Sequence, residues 1–128
     1  MTTKILMVDD FPAILELYDM YFKSKCKTVE IEECTSALEG LEKMKSQQFD
    51  IIISDYDMRD MDGIEFLKTI RSKSDFTPFI LLTGIQDSRL EIEAKEYGAK
   101  FMQKGQEPKK HFDEVITMLR EIKKHRAS

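Results

Sequence analysis

The side chains in this chain that could do chemistry together are Asp9 and Asp10, Asp55, Thr83 and Lys104. Two ionised carboxylates ~5 Å apart repel by roughly 3 kcal/mol at an effective dielectric of ~20, so three aspartates gather only where a cation compensates them. Mg²⁺ suits such a set. It takes one or two carboxylates, keeps several waters and completes its shell with phosphate oxygens. Lys104 would add a second positive charge, and Thr83 a hydroxyl. A rival reading attaches to the acidic run "DYDMRDMDGIEF", residues 55–66, which has the length of a helix-loop-helix calcium loop. Asp55 and Asp57 fit the first two ligand positions of such a loop, but Arg59 takes the third, Asp60 replaces the glycine and Phe66 the closing glutamate. The calcium loop therefore fails where its geometry is most demanding.

Whether the five residues meet depends on the elements that carry them. Short apolar runs rich in Ile, Val and Phe alternate with longer amphipathic segments, the pattern of a parallel sheet covered by helices. Strands are predicted at about 4–8, 28–33, 50–54, 79–83 and 100–103. "KILMV", "DIII" and "FILLT" are continuously apolar, as strands buried on both faces must be. "TVEIEE" alternates and "KFMQ" is short and mixed, which places them at the edges. With right-handed crossovers, this division gives an α/β, doubly wound, five-stranded parallel sheet in the order 2-1-3-4-5. Ligands of such sheets bind outside the carboxyl ends of the strands where the order reverses, here between the first and third. The first strand ends in Asp9 and Asp10, the third in Asp55, the fourth in Thr83 and the fifth in Lys104, so all five converge on one edge.

Helix signals support the same parsing. "SALE" from Ser36 and "SRLE" from Ser88 are capping boxes, and Asp62 with Glu65 repeats the spacing. In the last helix Phe112, Val115, Ile116, Leu119 and Ile122 share one face, the mark of core packing. The fourth helix, about 87–97, has only the thin stripe Leu90, Ala94 and Tyr97, with Ile92 off it. Such a helix either binds a partner or is simply solvated. Asp60 reads as a solvated charge, and the tail "KKHRAS" as a frayed end.

The 128 residues suffice for one domain spanning 1–128, with an ordered core at about 4–124. A net charge of -4, with Lys and Arg dispersed, argues against direct nucleic-acid binding. Apolar runs such as "ILMV" and "FILL" fall far short of the ~20 residues a bilayer requires, so no membrane association is expected. "MTTK" opens no signal peptide, and a cytoplasmic protein is the expectation. Cys26 and Cys34, without metal-ligand spacing, read as packed, reduced thiols.

The acidic pair "DD", Asp55, the Met-Asp-Gly of "DMRDMDG", Thr83 and Lys104, each in order at its strand end, resemble the receiver domain of two-component response regulators. The resemblance covers essentially the whole chain and implies a flavodoxin-like, chemotaxis-regulator-like (βα)₅ fold. It implies further that Asp55 accepts a phosphoryl group from a sensor histidine kinase or phosphotransfer domain in a Mg²⁺-dependent reaction. Asp10 and Asp55 would ligate the ion directly, Asp9 mainly through water, and Asp57 through its backbone carbonyl. Thr83 would bond the phosphoryl oxygen, and Lys104 pair with it. Phe101 occupies the family's switch position, although ordinary edge-strand packing would equally explain an aromatic there. Without a separate output domain, the signal is expected to pass in trans through the face of the fourth helix, fifth strand and fifth helix. Homodimerisation is left open.

Two positions depart from the family's pattern: Arg59 and Gly105 stand where prolines are usual. A cis bond before glycine costs ~2.5–4 kcal/mol, so the turn after Lys104 should differ from the proline form. They keep open a receiver-like interaction module that takes no phosphate. Asp55 and Asp57 also match, superficially, the paired aspartates of haloacid-dehalogenase-like phosphatases. That motif follows the first core strand, and those enzymes carry a capping insertion for which this chain has no residues. A flavodoxin-like cofactor binder would need a phosphate-cradling loop where "DDFPA" stands, and these carboxylates would repel it.

Overall fold

The computed structural model describes residues 2–25, 27–85, 87–104 and 108–127. Cys26 and the turn at Gly105 lie outside the described residues. Strands and helices alternate throughout: β1 (Thr3–Val8), α1 (Pro12–Lys25), β2 (Val29–Cys34), α2 (Ala37–Ser46), β3 (Ile51–Asp55), α3 (Gly63–Ser72), β4 (Phe79–Thr83), α4 (Ser88–Glu96), β5 (Ala99–Gln103) and α5 (Pro108–Ala127). The five strands pair in parallel in the order β2-β1-β3-β4-β5, as the apolar pattern requires.

β3 and β4 are buried along their whole length, and β1 at every residue but Lys4, whereas β2 and β5 mix buried and accessible positions. Side chains alternate across the sheet. Leu6 and Val8 of β1 therefore join α2, α3 and α4 in a cluster around Phe66, Leu67 and Ile70. Ile5 and Met7 join α1 and α5 in a second cluster around Leu15, Phe22 and Leu119. β4 has its predicted bounds and the other strands move by one residue. The Asp50 carboxylate takes the Lys4 N–H at 2.7 Å, a bond a strand carbonyl would otherwise accept, and β3 starts one residue later.

Ser36 and Asp62 cap α2 and α3 as expected, accepting from the Glu39 and Glu65 N–H groups at 3.1 and 2.8 Å. For α4 the cap is Asp87 rather than Ser88. The Asp87 carboxylate reaches the Arg89 N–H at 2.8 Å, and Ser88 becomes the first helical residue. Only Ala94 of α4 is fully buried, Leu90 and Tyr97 are half-buried and Ile92 is exposed, as the thin stripe foretold. Val115 and Leu119 seat α5 on the core; the Phe112 side chain lies outside the description. α5 runs on through Ala127, past the point where its basic tail was expected to fray. No described helix is long and apolar enough to cross a membrane.

Candidate functional site

The strand registers bring the chemistry to one edge. Val8 pairs with Ser54, so Asp9 and Asp55 stand level at the carboxyl ends of neighbouring strands, and Thr83 pairs with Gln103 just before Lys104. Asp9, Asp10 and Asp55 each present a carboxylate oxygen, all within 4.8 Å of one another. Asp9, Asp55 and Thr83 are buried, at 3%, 6% and 1% exposure. Ionised groups are taken from water only where they find partners. Here the partner is Lys104, whose ammonium lies 2.9 Å from Asp55 Oδ1 and 3.1 Å from Asp9 Oδ2. The backbone aims it: the Lys104 N–H donates to the Thr83 carbonyl at 2.7 Å.

The electrostatics follow from this crowding. Burial pushes the Asp55 carboxyl above its ordinary value, the bond to Lys104 pulls it back, and the charge of Asp9 adds to the rise. Burial works against the Lys104 ammonium, but Asp55 and Asp9 outweigh it and raise its pKa. Tyr18, buried on α1, is pushed up to about 12 by burial first and then by the charges of Asp9 and Asp55.

The residues fit a hard divalent cation. Both Asp9 oxygens are engaged, Oδ1 by the Phe11 N–H at 2.9 Å and Oδ2 by Lys104. Asp10 Oδ1, by contrast, is buried without a hydrogen-bond partner, a costly state that an ion would relieve. Three carboxylates against one ammonium also leave the cluster short of positive charge.

The remaining expected residues fall at different depths. Thr83 Oγ1 accepts the Ile85 N–H at 3.1 Å and keeps its own proton free to donate. Asp57 and Arg59 are exposed on the loop after β3. Phe101 is half-buried against the cluster shared by α2, α3 and α4. Asp60 is exposed, as expected of a solvated charge, and also accepts backbone N–H groups of Leu38 and Ala37 at 2.9 and 3.3 Å.

A family model described as the response regulator receiver domain matches residues 5–116. The chain belongs to that family. It is 28% identical over 120 residues to the cell cycle response regulator CtrA of Brucella ovis, across 93% of this chain and 49% of the relative. It thus spans about half the length of the curated relatives it matches. A CheY-like response regulator receiver domain protein from Methanospirillum hungatei superposes with a TM-score of 0.87 at 25% identity, covering 98% of this chain and 99% of that one. Chemotaxis protein CheY4 of Vibrio cholerae gives 0.81 at 30% identity, covering 91% and 98%. A receiver domain is a signalling module of two-component systems rather than a classical enzyme.

Gly63 and Tyr18 bear on this receiver site without having stood out in the sequence. The Gly63 N–H donates to the Tyr56 carbonyl at 2.8 Å, and a Cβ there would stand 2.5 Å from the Asp55 carbonyl oxygen. Its signal was the Met-Asp-Gly motif, read for position rather than for space. For Tyr18 the signal was helical spacing, since Leu15, Tyr18 and Phe22 form the buried stripe of α1.

Proposed function

We infer that this receiver domain is a phosphoacceptor whose nucleophile is Asp55. One observation carries the reading: a buried strand-end carboxylate lies among two more carboxylates, one with an orphaned oxygen, and is bonded to a lysine ammonium. Mg²⁺, when bound by Asp10, Asp55, water held on Asp9 and the Asp57 carbonyl, would neutralise the oxygens of an incoming phosphoryl group. An Asp55 carboxylate oxygen attacks phosphorus in line, the bond from phosphorus to the donor's imidazole nitrogen breaks, and the imidazole leaves with the bonding pair. Lys104 follows the charge onto the phosphoryl oxygens, and Thr83 donates its hydroxyl proton to one of them. Positioning and neutralisation suffice, because such a transition state asks for little covalent help.

The added charge draws Thr83 inward. Phe101, packed beside α4, then alters the face made by α4, β5 and α5, which hands the signal to a downstream protein. A histidine kinase or phosphotransfer domain is the donor, in a cytoplasmic setting, and residues 1–128 act as one receiver unit. Since the longer relatives carry more chain, the reader of that face is either a separate protein or a fused module.

Incubation with Mg²⁺ and acetyl phosphate, followed by intact-mass measurement, should add one phosphoryl group to the parent protein and none to Asp55→Asn. Equal modification of the variant would overturn the assignment. No modification of either would favour the receiver-like module that takes no phosphate, which the exposed Arg59 keeps in view. Turnover of many phosphate esters per protein would mark a phosphatase instead.

A further inference from the structure

The loop between β3 and α3 is held by a residue that neither caps its own helix nor faces the carboxylate cluster. Asp60 reaches across to the start of α2, where its Oδ2 accepts the Leu38 N–H at 2.9 Å and its Oδ1 the Ala37 N–H at 3.3 Å. Ser36 serves the Glu39 N–H, so the free donors at the head of α2 are divided between a local cap and one 22–23 residues away. α2 follows directly on β2, whose last residue, Cys34, accepts the Asp9 N–H on its carbonyl at 3.0 Å. A closed path of bonds therefore runs from the Asp9 backbone through Cys34 and the head of α2 to Asp60. From there the loop leads back to Asp57 and Asp55.

We propose that Asp60 is a positioning residue for metal binding: by clamping the loop to the head of α2, it fixes the Asp57 carbonyl relative to Asp9, Asp10 and Asp55. The inference rests on the reading of those four residues as the Mg²⁺ site. Other features pin the same loop from below. Met58 is buried, and Gly63 is bonded back to Tyr56. Asp60 reaches sideways, to the head of the helix that follows β2, the strand paired with β1. Groups that orient a ligand without touching the ion typically matter by ~10–100-fold in metal affinity.

The test is a Mg²⁺ titration of the full chain followed by the amide shifts of Asp10, Asp55, Asp57 and Lys104 in ¹H–¹⁵N spectra. Asp60→Ala should raise the Kd about tenfold. Asp60→Asn, which keeps an oxygen for the shorter bond, should stay within about twofold of the parent. The Asp60→Ala effect should also persist at high salt, because displacement of a ligand is not screened whereas loss of a surface charge is. An unchanged Kd in Asp60→Ala, with only a lowered melting temperature, would make Asp60 a mere helix cap and overturn the inference. So would equal losses in both variants that vanish in high salt, since charge alone would then account for them. If the parent's amides at Asp10 and Asp55 do not respond to Mg²⁺ at all, the metal site falls and Asp60 falls with it.

Discussion

At Gly63 the space around one hydrogen atom decides how closely α3 can approach the end of β3. A Cβ would meet the Asp55 carbonyl oxygen at 2.5 Å and Tyr56 Cα at 2.9 Å, both backbone atoms that cannot swing aside. Gly63→Ala should therefore lower stability by about 3 kcal/mol in urea unfolding, the upper end of ordinary overpacking. Gly84→Ala, where a Cβ would meet nothing within 4 Å, should stay within about 0.5 kcal/mol. Equal stability of the two variants would mean that the Asp55 loop yields freely. Cys34 makes a chemical counterpart. Burial, opposed by Lys43 and aided by Glu39 and Glu32, pushes its thiol up to about 12. A raised thiol pKa favours the neutral folded form below the ordinary thiol range and loses that advantage as pH rises toward 12. In a Cys26→Ser background at pH 8, Cys34 should react with Ellman's reagent only as fast as the protein unfolds; rapid labelling of the native state would contradict its burial. The carboxylates, Thr83 and Lys104 were legible in the sequence because each follows or ends a run that reads as a strand, an apolar one for all but Lys104. Asp60 was not, because its partners lie 22 and 23 residues away and no local spacing announces them.

Among elements, the parts read most securely were those whose pattern has one physical meaning. Short, continuously apolar runs rich in Ile, Leu and Phe and set between helical segments read as central strands, so β3 and β4 and the strand order followed. Cap positions were less secure, because Asp87 and Ser88 both can cap and only the backbone decides between them. No sequence pattern revealed how α3 is tied to its neighbours. The Arg71 guanidinium donates to the Tyr97 carbonyl at 2.8 Å, to that of Asp75 at 3.0 Å and to that of Thr77 at 2.9 Å. One side chain thus links the end of α3, the approach to β4 and the end of α4. Lys68 adds a second link, pairing with Glu93 and lying 5.6 Å from the Tyr97 ring. Arg71→Met should cost about 2 kcal/mol in urea unfolding, since the half-buried carbonyls lose a charged donor. Arg71→Lys should recover less than half of it, as an ammonium lacks the planar fork. Full recovery by lysine would show that charge, not geometry, makes the link.

The whole molecule brings together at one edge what the chain keeps 95 residues apart, from Asp9 to Lys104. Such a sheet edge is a place to hold charge, and holding it has a cost in stability. Asp9, Asp10 and Asp55 each bring a carboxylate oxygen within 4.8 Å of the others, and Asp9 and Asp55 share one ammonium, while Asp10 Oδ1 has no hydrogen bond to offset its burial. Without a divalent cation the fold should therefore be less stable than it would be with fewer carboxylates. Asp10→Asn removes one charge while keeping the shape, so the metal-free variant should be more stable than the parent by about 1 kcal/mol, the repulsion being reduced by solvent around the half-exposed residue. Added Mg²⁺ should reverse the ranking, because an ion that binds only the folded state stabilises it in proportion to the logarithm of its concentration over Kd. Parent melting temperatures should climb with MgCl₂ while those of Asp10→Asn stay flat. The crossing of the two curves is the decisive feature. A merely structural aspartate would lower stability when replaced at every Mg²⁺ concentration, whereas a carboxylate kept for an ion must be a burden in its absence and an asset in its presence.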